Sequence, residues 1–254
     1  IIEKKTLYKE HAMEFSAVFS IVISIFSIIL IPYLNFNFPS NYWPILYFIS
    51  LIGSIAFLFV AKATRHMQIS SCSPLFAFGP VITAILAWII LNENLSNLQI
   101  GGIALVFTGS YILEMRPRKS IREELLTPLQ TIIKSKYIHF MLFAVFLYSI
   151  SSIVDRYLLN TANPTSMEPL TFLFIVQAFM AVNLFIMISI FHDGFKGVVH
   201  GIKSAGGWIA LMAVIHLAAR SMLVYATTIP AAKIALVVAL RRSSLLISTY
   251  FGGG

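Results

Sequence analysis

Three arginines and one histidine lie inside long apolar runs of the sequence, where ionisable side chains are rare. His216 and Arg220 are four residues apart, a spacing that places both side chains on one face of a helix. Arg241 and Arg242 fall near the middle of the last apolar run. A charged group in such a run is costly and usually faces a cavity or a partner. These four residues are therefore candidate ligands for an anionic group of a substrate.

A structural interpretation of the same residues stays open beside the functional one. One or more of the arginines could pair with a carboxylate, or extend its guanidinium group to the membrane surface. The acidic residues available for such a pair are Glu14, Asp155 and Glu168.

Several other polar residues in the apolar runs could contact a substrate. Ser73, Gln177 and Asn183 could hydrogen-bond a solute, although such side chains more often join one helix to another. Glu14 lies near a helix start and would be a candidate for proton coupling if it were buried. Glu93 ends an apolar run, and a loop or capping role is favoured for it over a role in transport.

The sequence gives little support to enzymatic chemistry. Its six histidines are scattered and there is one cysteine, so no spacing typical of a metal site occurs. A glycine-rich phosphate loop before Lys-Ser or Lys-Thr is also absent from the sequence. We therefore expect no catalytic residues, no cofactor, no bound metal and no nucleic-acid partner.

The composition is that of a membrane protein. Hydrophobic residues make up 58% of the 254 residues and charged residues 11%, whereas a soluble domain carries about 25% charged residues. Because a spanning helix needs about 20 mostly apolar residues, the sequence predicts eight helices. They cover roughly 12–34, 43–62, 70–92, 97–114, 137–158, 169–191, 206–226 and 231–251.

A weak internal repeat organises these helices. The pair Ala63-Thr64 matches Ala226-Thr227, and the same offset places Arg241 and Arg242 opposite Phe78 and Gly79. Pro80, which follows, removes a backbone donor and is expected to kink its helix at Gly79 and Pro80. The repeat predicts a first unit over 1–114, a polar linker over 115–136 and a second unit over 137–254. Two five-helix units would give ten helices, so we expect the first and last helices to be missing from this chain.

Two segments of the sequence resemble a known family. Segment 73–109 contains a mid-helix proline at Pro80, a helix end at Asn92-Glu93 and a last helix with Gly102 and Gly109, and segment 239–245 resembles the matching helix of the second unit. Both are similar to the EamA repeat of the drug/metabolite transporter superfamily. The resemblance implies an all-helical membrane bundle of two inverted five-helix repeats around a central cavity.

The basic residues predict an orientation in the membrane. Thirteen of the 18 lysines and arginines lie in loops on one side, two on the other and three inside apolar runs. The positive-inside rule makes the first side cytoplasmic. The family resemblance implies the opposite, because with both termini inside it places 115–136 outside.

The sequence therefore predicts a multi-pass protein of the plasma membrane that contacts lipid and binds a small solute, with an anionic solute as one candidate. The predicted activity is secondary transport of a small polar metabolite or drug-like solute by alternating access. The alternative is a membrane scaffold, or a membrane-embedded enzyme subunit, that transports nothing.

Overall fold

The computed structural model describes residues 11–67, 75–114 and 135–241. Every regular element in these ranges is helical, which confirms the predicted all-helical membrane bundle. We number the helices in chain order, and a 3₁₀ segment, Ile28–Tyr33, continues the first of them. They are α1 (Ala12–Ser27), α2 (Tyr42–His66), α3 (Phe78–Leu91), α4 (Asn97–Glu114), α5 (Lys136–Leu159), α6 (Pro169–Phe191), α7 (Gly194–Thr228) and α8 (234–241).

Five of these helices are long and apolar enough to cross a membrane. They are α1 with its 3₁₀ continuation, α2, α5, α6 and α7. Helix α3 and the 97–109 part of α4 are apolar but shorter. The chain is thus a multi-pass integral membrane protein, as predicted. The predicted spans 70–92 and 231–251 both include residues outside the described ranges.

Helix α7 differs most from its predicted bounds. It contains 35 residues and begins at Gly194, whereas the sequence predicted a helix from 206. Gly194 has a φ of +53°, a left-handed conformation that glycine adopts without strain, so the chain reverses at once after α6. At 1.5 Å per residue α7 is about 52 Å long, which exceeds the roughly 30 Å of a bilayer core. Its first turns, which carry Lys196, therefore extend beyond the apolar layer.

The helix that contains Pro80 is interrupted close to the predicted kink at Gly79 and Pro80. Leu75 and Phe76 are helical, Ala77 forms a turn with a φ of −68° and a ψ of −17°, and α3 begins at Phe78. Pro80 has no amide to donate to the carbonyl of Phe76, four residues earlier, so the helical hydrogen bonding is broken beside the proline. A bend of the helix axis at Gly79 and Pro80 stays a prediction.

Helices α1, α2, α6 and α7 form the centre of the bundle. Helix α1 packs on α6 and α7, and α2 packs on α5 and α6, while α3 packs on α5. Phe15, Leu46 and Phe172 are fully buried between them. The buried hydroxyls of Ser16 and Ser54 donate to carbonyls of their own helices, so they pack in an apolar interface without unpaired donors.

The bundle has two chemically different ends. At one end, which we call the basic end, α2 finishes with Arg65 and His66, and His66 stacks on Tyr137 at the start of α5. The basic end also contains the start of α1 and the α6–α7 turn, where His11 and His192 stack with ring centroids 4.3 Å apart. The opposite end contains the α3–α4, α5–α6 and α7–α8 loops, and hydrogen bonds such as that from the Thr161 amide to the Thr228 carbonyl join two of these loops.

Candidate functional site

A cavity of about 440 Å³ lies between α1, α2, α3, α5, α6, α7 and α8. Aromatic and aliphatic side chains form much of its wall, including Phe15, Phe19 and Phe57. The volume falls within the range of about 300–1,000 Å³ typical of small-molecule sites.

Most of the predicted binding residues line this cavity. His216 and Arg220 reach it from α7, Gln177 from α6 and Arg241 from α8. Gly79, in the first turn of α3, also lines the cavity. The i, i+4 spacing of His216 and Arg220 and the internal repeat therefore identified residues that the fold brings to one place.

One ion pair crosses the cavity wall. A terminal guanidinium nitrogen of Arg220 lies 3.8 Å from the Asp155 carboxylate, with 18% and 11% of the two side chains exposed. The charge of Arg241 is close enough to act on both. Asp155 was one of the three carboxylates considered as structural partners of the arginines. Arg220 therefore pairs with a carboxylate, as the structural interpretation expected, and also lines the cavity, as the functional interpretation expected. The pair is loose, because 3.8 Å exceeds the length of a hydrogen bond.

Helix α5 contributes a polar stripe that the sequence analysis missed. Tyr148, Ser151, Ser152 and Asp155 all line the cavity, and their i, i+3, i+4, i+7 spacing places them on one face of the helix. This periodicity inside an apolar span was the signal that could have identified them. The sequence analysis had named Asp155 only as a possible structural partner of the arginines.

Thr83 on α3 is a further missed residue of the cavity wall. It lines the cavity and is 0% exposed, and its hydroxyl has no hydrogen-bond partner among the described residues. Gly79, one turn earlier, accepts a hydrogen bond through its carbonyl from the Ser149 hydroxyl, at 3.4 Å. The hydroxyl of Thr83 is thus available to a bound solute.

The other predicted residues lie elsewhere. The Asn183 amide donates to the Ser50 hydroxyl at 3.5 Å, which joins α6 to α2. Pro80 is buried in α3 outside the cavity lining. Glu14 is buried at the basic end, where its carboxylate accepts the His11 amide in a capping box at the start of α1. Ser73 and Arg242 fall outside the described residues.

A second, tighter charge network closes the opposite end of the bundle. Arg156 Nε donates to Glu93 Oε1 at 3.0 Å, with 2% and 10% of the side chains exposed. Asn92, with a φ of +52°, ends α3 in the left-handed conformation that asparagine tolerates, so that Glu93 turns towards α5. Glu93 Oε2 also accepts the Ile234 amide at 3.0 Å, at the start of α8. The capping role predicted for Glu93 is thus one part of a larger network, which we call the Arg156 latch.

The remaining donors of Arg156 bind the α7–α8 loop. Its Nη1 donates to the carbonyls of Thr227 and Ile229 at 2.6 and 2.8 Å, and its Nη2 to the Pro230 carbonyl at 2.9 Å. Because Thr227 also lines the cavity, the latch holds one residue of the cavity wall at this end.

Comparison with known proteins identifies the family of the chain. The model of the EamA-like transporter family matches residues 1–115. The spermidine export protein MdtI of Photorhabdus laumondii subsp. laumondii is 32% identical over 97 residues, which are 38% of this chain and 86% of that protein. The chain belongs to the EamA-like transporter family. The EamA-type identity predicted from segment 73–109 is therefore confirmed, and the chain is a membrane transporter.

A solved structure shares the fold of this EamA-like protein. Titled "Crystal structure of protein", it has a TM-score of 0.52 and 12% identity, with 98% of this chain and 90% of that chain covered. At this identity the likeness supports the bundle architecture alone.

Proposed function

We propose that this EamA-like protein is a secondary transporter of the plasma membrane that carries a small polar solute through the central cavity by alternating access. The observation that supports the proposal is the convergence of Asp155, His216, Arg220 and Arg241 on one cavity between the helices. Ionisable groups at membrane depth typically mark a substrate or ion pathway.

Alternating access requires two units that rock against each other. The helix contacts support such an arrangement, with units at 1–114 and 137–254 on either side of the 115–136 linker. The internal repeat pairs α1 with α6 and α2 with α7. Exchanging the two units would then turn the α1–α7 contact into the α6–α2 contact and would leave the α1–α6 contact unchanged. All three contacts are present in the bundle.

The charges and walls of the cavity favour a solute with an anionic group and an apolar part. Two guanidinium groups and one carboxylate act on the same space, and an arginine can hold a carboxylate through two parallel hydrogen bonds. Phenylalanines of α1 and α2 on the facing wall would bury an apolar portion of such a solute.

The relationship to a spermidine exporter supports a second candidate, a polyamine substrate. Asp155 would then bind an ammonium group of the solute. The two arginines repel a polycation, so the anionic solute is favoured on electrostatic grounds.

Transport by full-length protein in proteoliposomes tests both candidates. We expect uptake of radiolabelled small carboxylates to exceed that of spermidine, and Arg220→Gln to reduce it at least about tenfold, the equivalent of 1.4 kcal/mol. Lys203→Gln is the matched control, because Lys203 is an exposed cation on the same helix. Spermidine transport that depends on Asp155 would favour the second candidate. Absence of transport for a broad panel of solutes would leave the scaffold or enzyme subunit as the explanation.

A further inference from the structure

Three side chains with metal-binding atoms meet at the basic end, away from the cavity. Glu14 lies in the first turn of α1, and His192 and Asp193 form the α6–α7 turn. One ligand atom from each lies within 4.8 Å of the other two. The cluster was not visible in the sequence because Glu14 is separated from the other two by most of the chain.

The local backbone holds these residues in place. His192 ends α6 and Asp193 precedes the first residue of α7, so two consecutive residues connect the two helices. Gly197, in the first turn of α7, allows α1 to approach closely, since a Cβ atom there would lie 3.4 Å from Glu14 Cγ and 3.1 Å from Ile188 Cδ1. The turn and the glycine together set the carboxylate of Glu14 beside the imidazole of His192.

Among residues 11–67, 75–114 and 135–241, no hydrogen bond is found for the three ligand atoms. Glu14 Oε2 accepts the His11 amide, which leaves Oε1 directed at His192 Nδ1, 3.9 Å away. Asp193 makes no capping hydrogen bond to α7, and its Oδ2 lies 3.3 Å from the same nitrogen. His192 Nδ1 is buried and, within the described part of the chain, has no hydrogen-bond partner. Such a nitrogen is costly unless something binds it.

The separations fit a coordinated ion. Zn²⁺ binds imidazole nitrogen and carboxylate oxygen at about 2.0–2.2 Å, and tetrahedral geometry then separates two ligand atoms by about 3.4 Å. The observed 3.3 Å already matches this separation, the observed 3.9 Å is slightly longer, and a carboxylate oxygen of Glu14 lies within 4.8 Å of one of Asp193. One nitrogen and two carboxylate oxygens suit Zn²⁺ or Mn²⁺, whereas Mg²⁺ prefers oxygen ligands and water.

We propose that Glu14 Oε1, His192 Nδ1 and Asp193 Oδ2 form a binding site for a divalent transition-metal ion of the Zn²⁺ class, completed by water. The ion would tie the start of α1 to the α6–α7 turn. Both α1 and α7 contribute residues to the cavity wall. The site itself is independent of the proposed transport.

Thermal unfolding of the full-length protein in detergent tests the site. Metal is first removed with a chelator, and unfolding is followed by tryptophan fluorescence with added Zn²⁺ or Mg²⁺. We expect Zn²⁺ to raise the Tm by several degrees, because a ligand that binds only the folded state stabilises it, and Mg²⁺ to leave it unchanged. Glu14→Gln, which retains an acceptor for the His11 amide, should weaken the Zn²⁺ affinity at least about tenfold.

Two further variants make the outcome decisive. Asp193→Asn should weaken the affinity similarly, and since 69% of the Asp193 side chain is exposed, this variant should fold normally. His200→Ala is the matched control, as an exposed histidine on α7 that should leave the Zn²⁺ shift unchanged. No Zn²⁺ shift in the unmodified protein, or an equal shift in Glu14→Gln and Asp193→Asn, would overturn the proposal. A Tm that depends on pH but not on Zn²⁺ would identify a proton as the occupant and would overturn it as well.

Discussion

Asp155 and Arg156 are neighbours in α5, yet their ion pairs differ in almost every respect. Arg156 binds Glu93 at 3.0 Å and donates three more hydrogen bonds to backbone carbonyls. Asp155 lies 3.8 Å from Arg220 and borders a cavity of about 440 Å³. Successive residues of a helix point in directions about 100° apart, so one helix turn serves both a closed network and an open site.

The difference shows how each pair can be used. A buried ion is tolerated only if its hydrogen-bonding groups are satisfied, and Arg156 meets this condition. A pair that is too long for a hydrogen bond can exchange one partner for a charged solute at little cost. We therefore interpret the Arg156 latch as an element of structure and Asp155–Arg220 as an element of substrate binding.

Breaking the latch should have the largest effect on stability. Glu93→Ala removes the counter-ion of Arg156 and the acceptor of the Ile234 amide. We expect a loss of about 3–5 kcal/mol in the free energy of unfolding, the usual cost of an uncompensated buried charge. Denaturant unfolding of the protein in detergent measures it. Glu93→Gln retains an acceptor for the amide and should lose less, whereas equal stability of Glu93→Ala and the unmodified protein would contradict the structural role.

Removing the charge of Asp155 from the Asp155–Arg220 pair should affect transport more than stability. Asp155→Asn keeps the size of the side chain but removes the charge that acts on Arg220 and Arg241. We expect transport in proteoliposomes to fall at least about tenfold, the equivalent of 1.4 kcal/mol. The stability loss should be about 1 kcal/mol or less, because the cavity is large enough to hold water around the pair. A stability loss as large as that of Glu93→Ala, with transport intact, would reverse the two assignments.

The sequence was sufficient to predict features that depend on local patterns. The spans of α2, α5 and α6 follow from apolar length alone, and the candidates His216 and Arg220 follow from the cost of ionisable groups in a membrane. The resemblance over segment 73–109 supplied the family.

Features that depend on contacts between distant segments could not be predicted in this way. Glu93 looked like a loop residue because its partner, Arg156, lies beyond the next helix and the 115–136 linker. Glu14 is buried, as its role as a coupling candidate required, but its neighbour His192 at the basic end lies far away in the sequence and could not be predicted from it. The early start of α7 depends on the conformation of Gly194, which composition does not reveal.

Replacing Thr83 tests, with a smaller expected effect, whether a hydroxyl in the cavity wall binds the solute. Its buried hydroxyl has no partner among the described residues, so Thr83→Val should raise the free energy of unfolding by about 1 kcal/mol. If the hydroxyl binds the solute, the KM of transport should rise about fivefold, as expected for one lost hydrogen bond. Thr228→Val is the control, since Thr228 lies outside the cavity lining and its hydroxyl donates to the carbonyl of Tyr225 in its own helix. A rise in stability with unchanged KM would make Thr83 a packing residue alone.

The smallest expected effect is the coupling between Asp155 and Arg220. Two unit charges at about 4 Å interact by about 1 kcal/mol in water, and a cavity of about 440 Å³ is large enough to hold water around the pair. A double-mutant cycle of Asp155→Asn and Arg220→Gln should therefore give a stability coupling of about 1 kcal/mol or less. The same cycle on Glu93 and Arg156, with Glu93→Gln and Arg156→Gln, should give a clearly larger value, since that pair is hydrogen-bonded and has almost no exposed surface. Equal coupling energies would mean that the cavity is dry and that Asp155 and Arg220 are as fixed as the latch, in which case a solute could not displace one partner from the other.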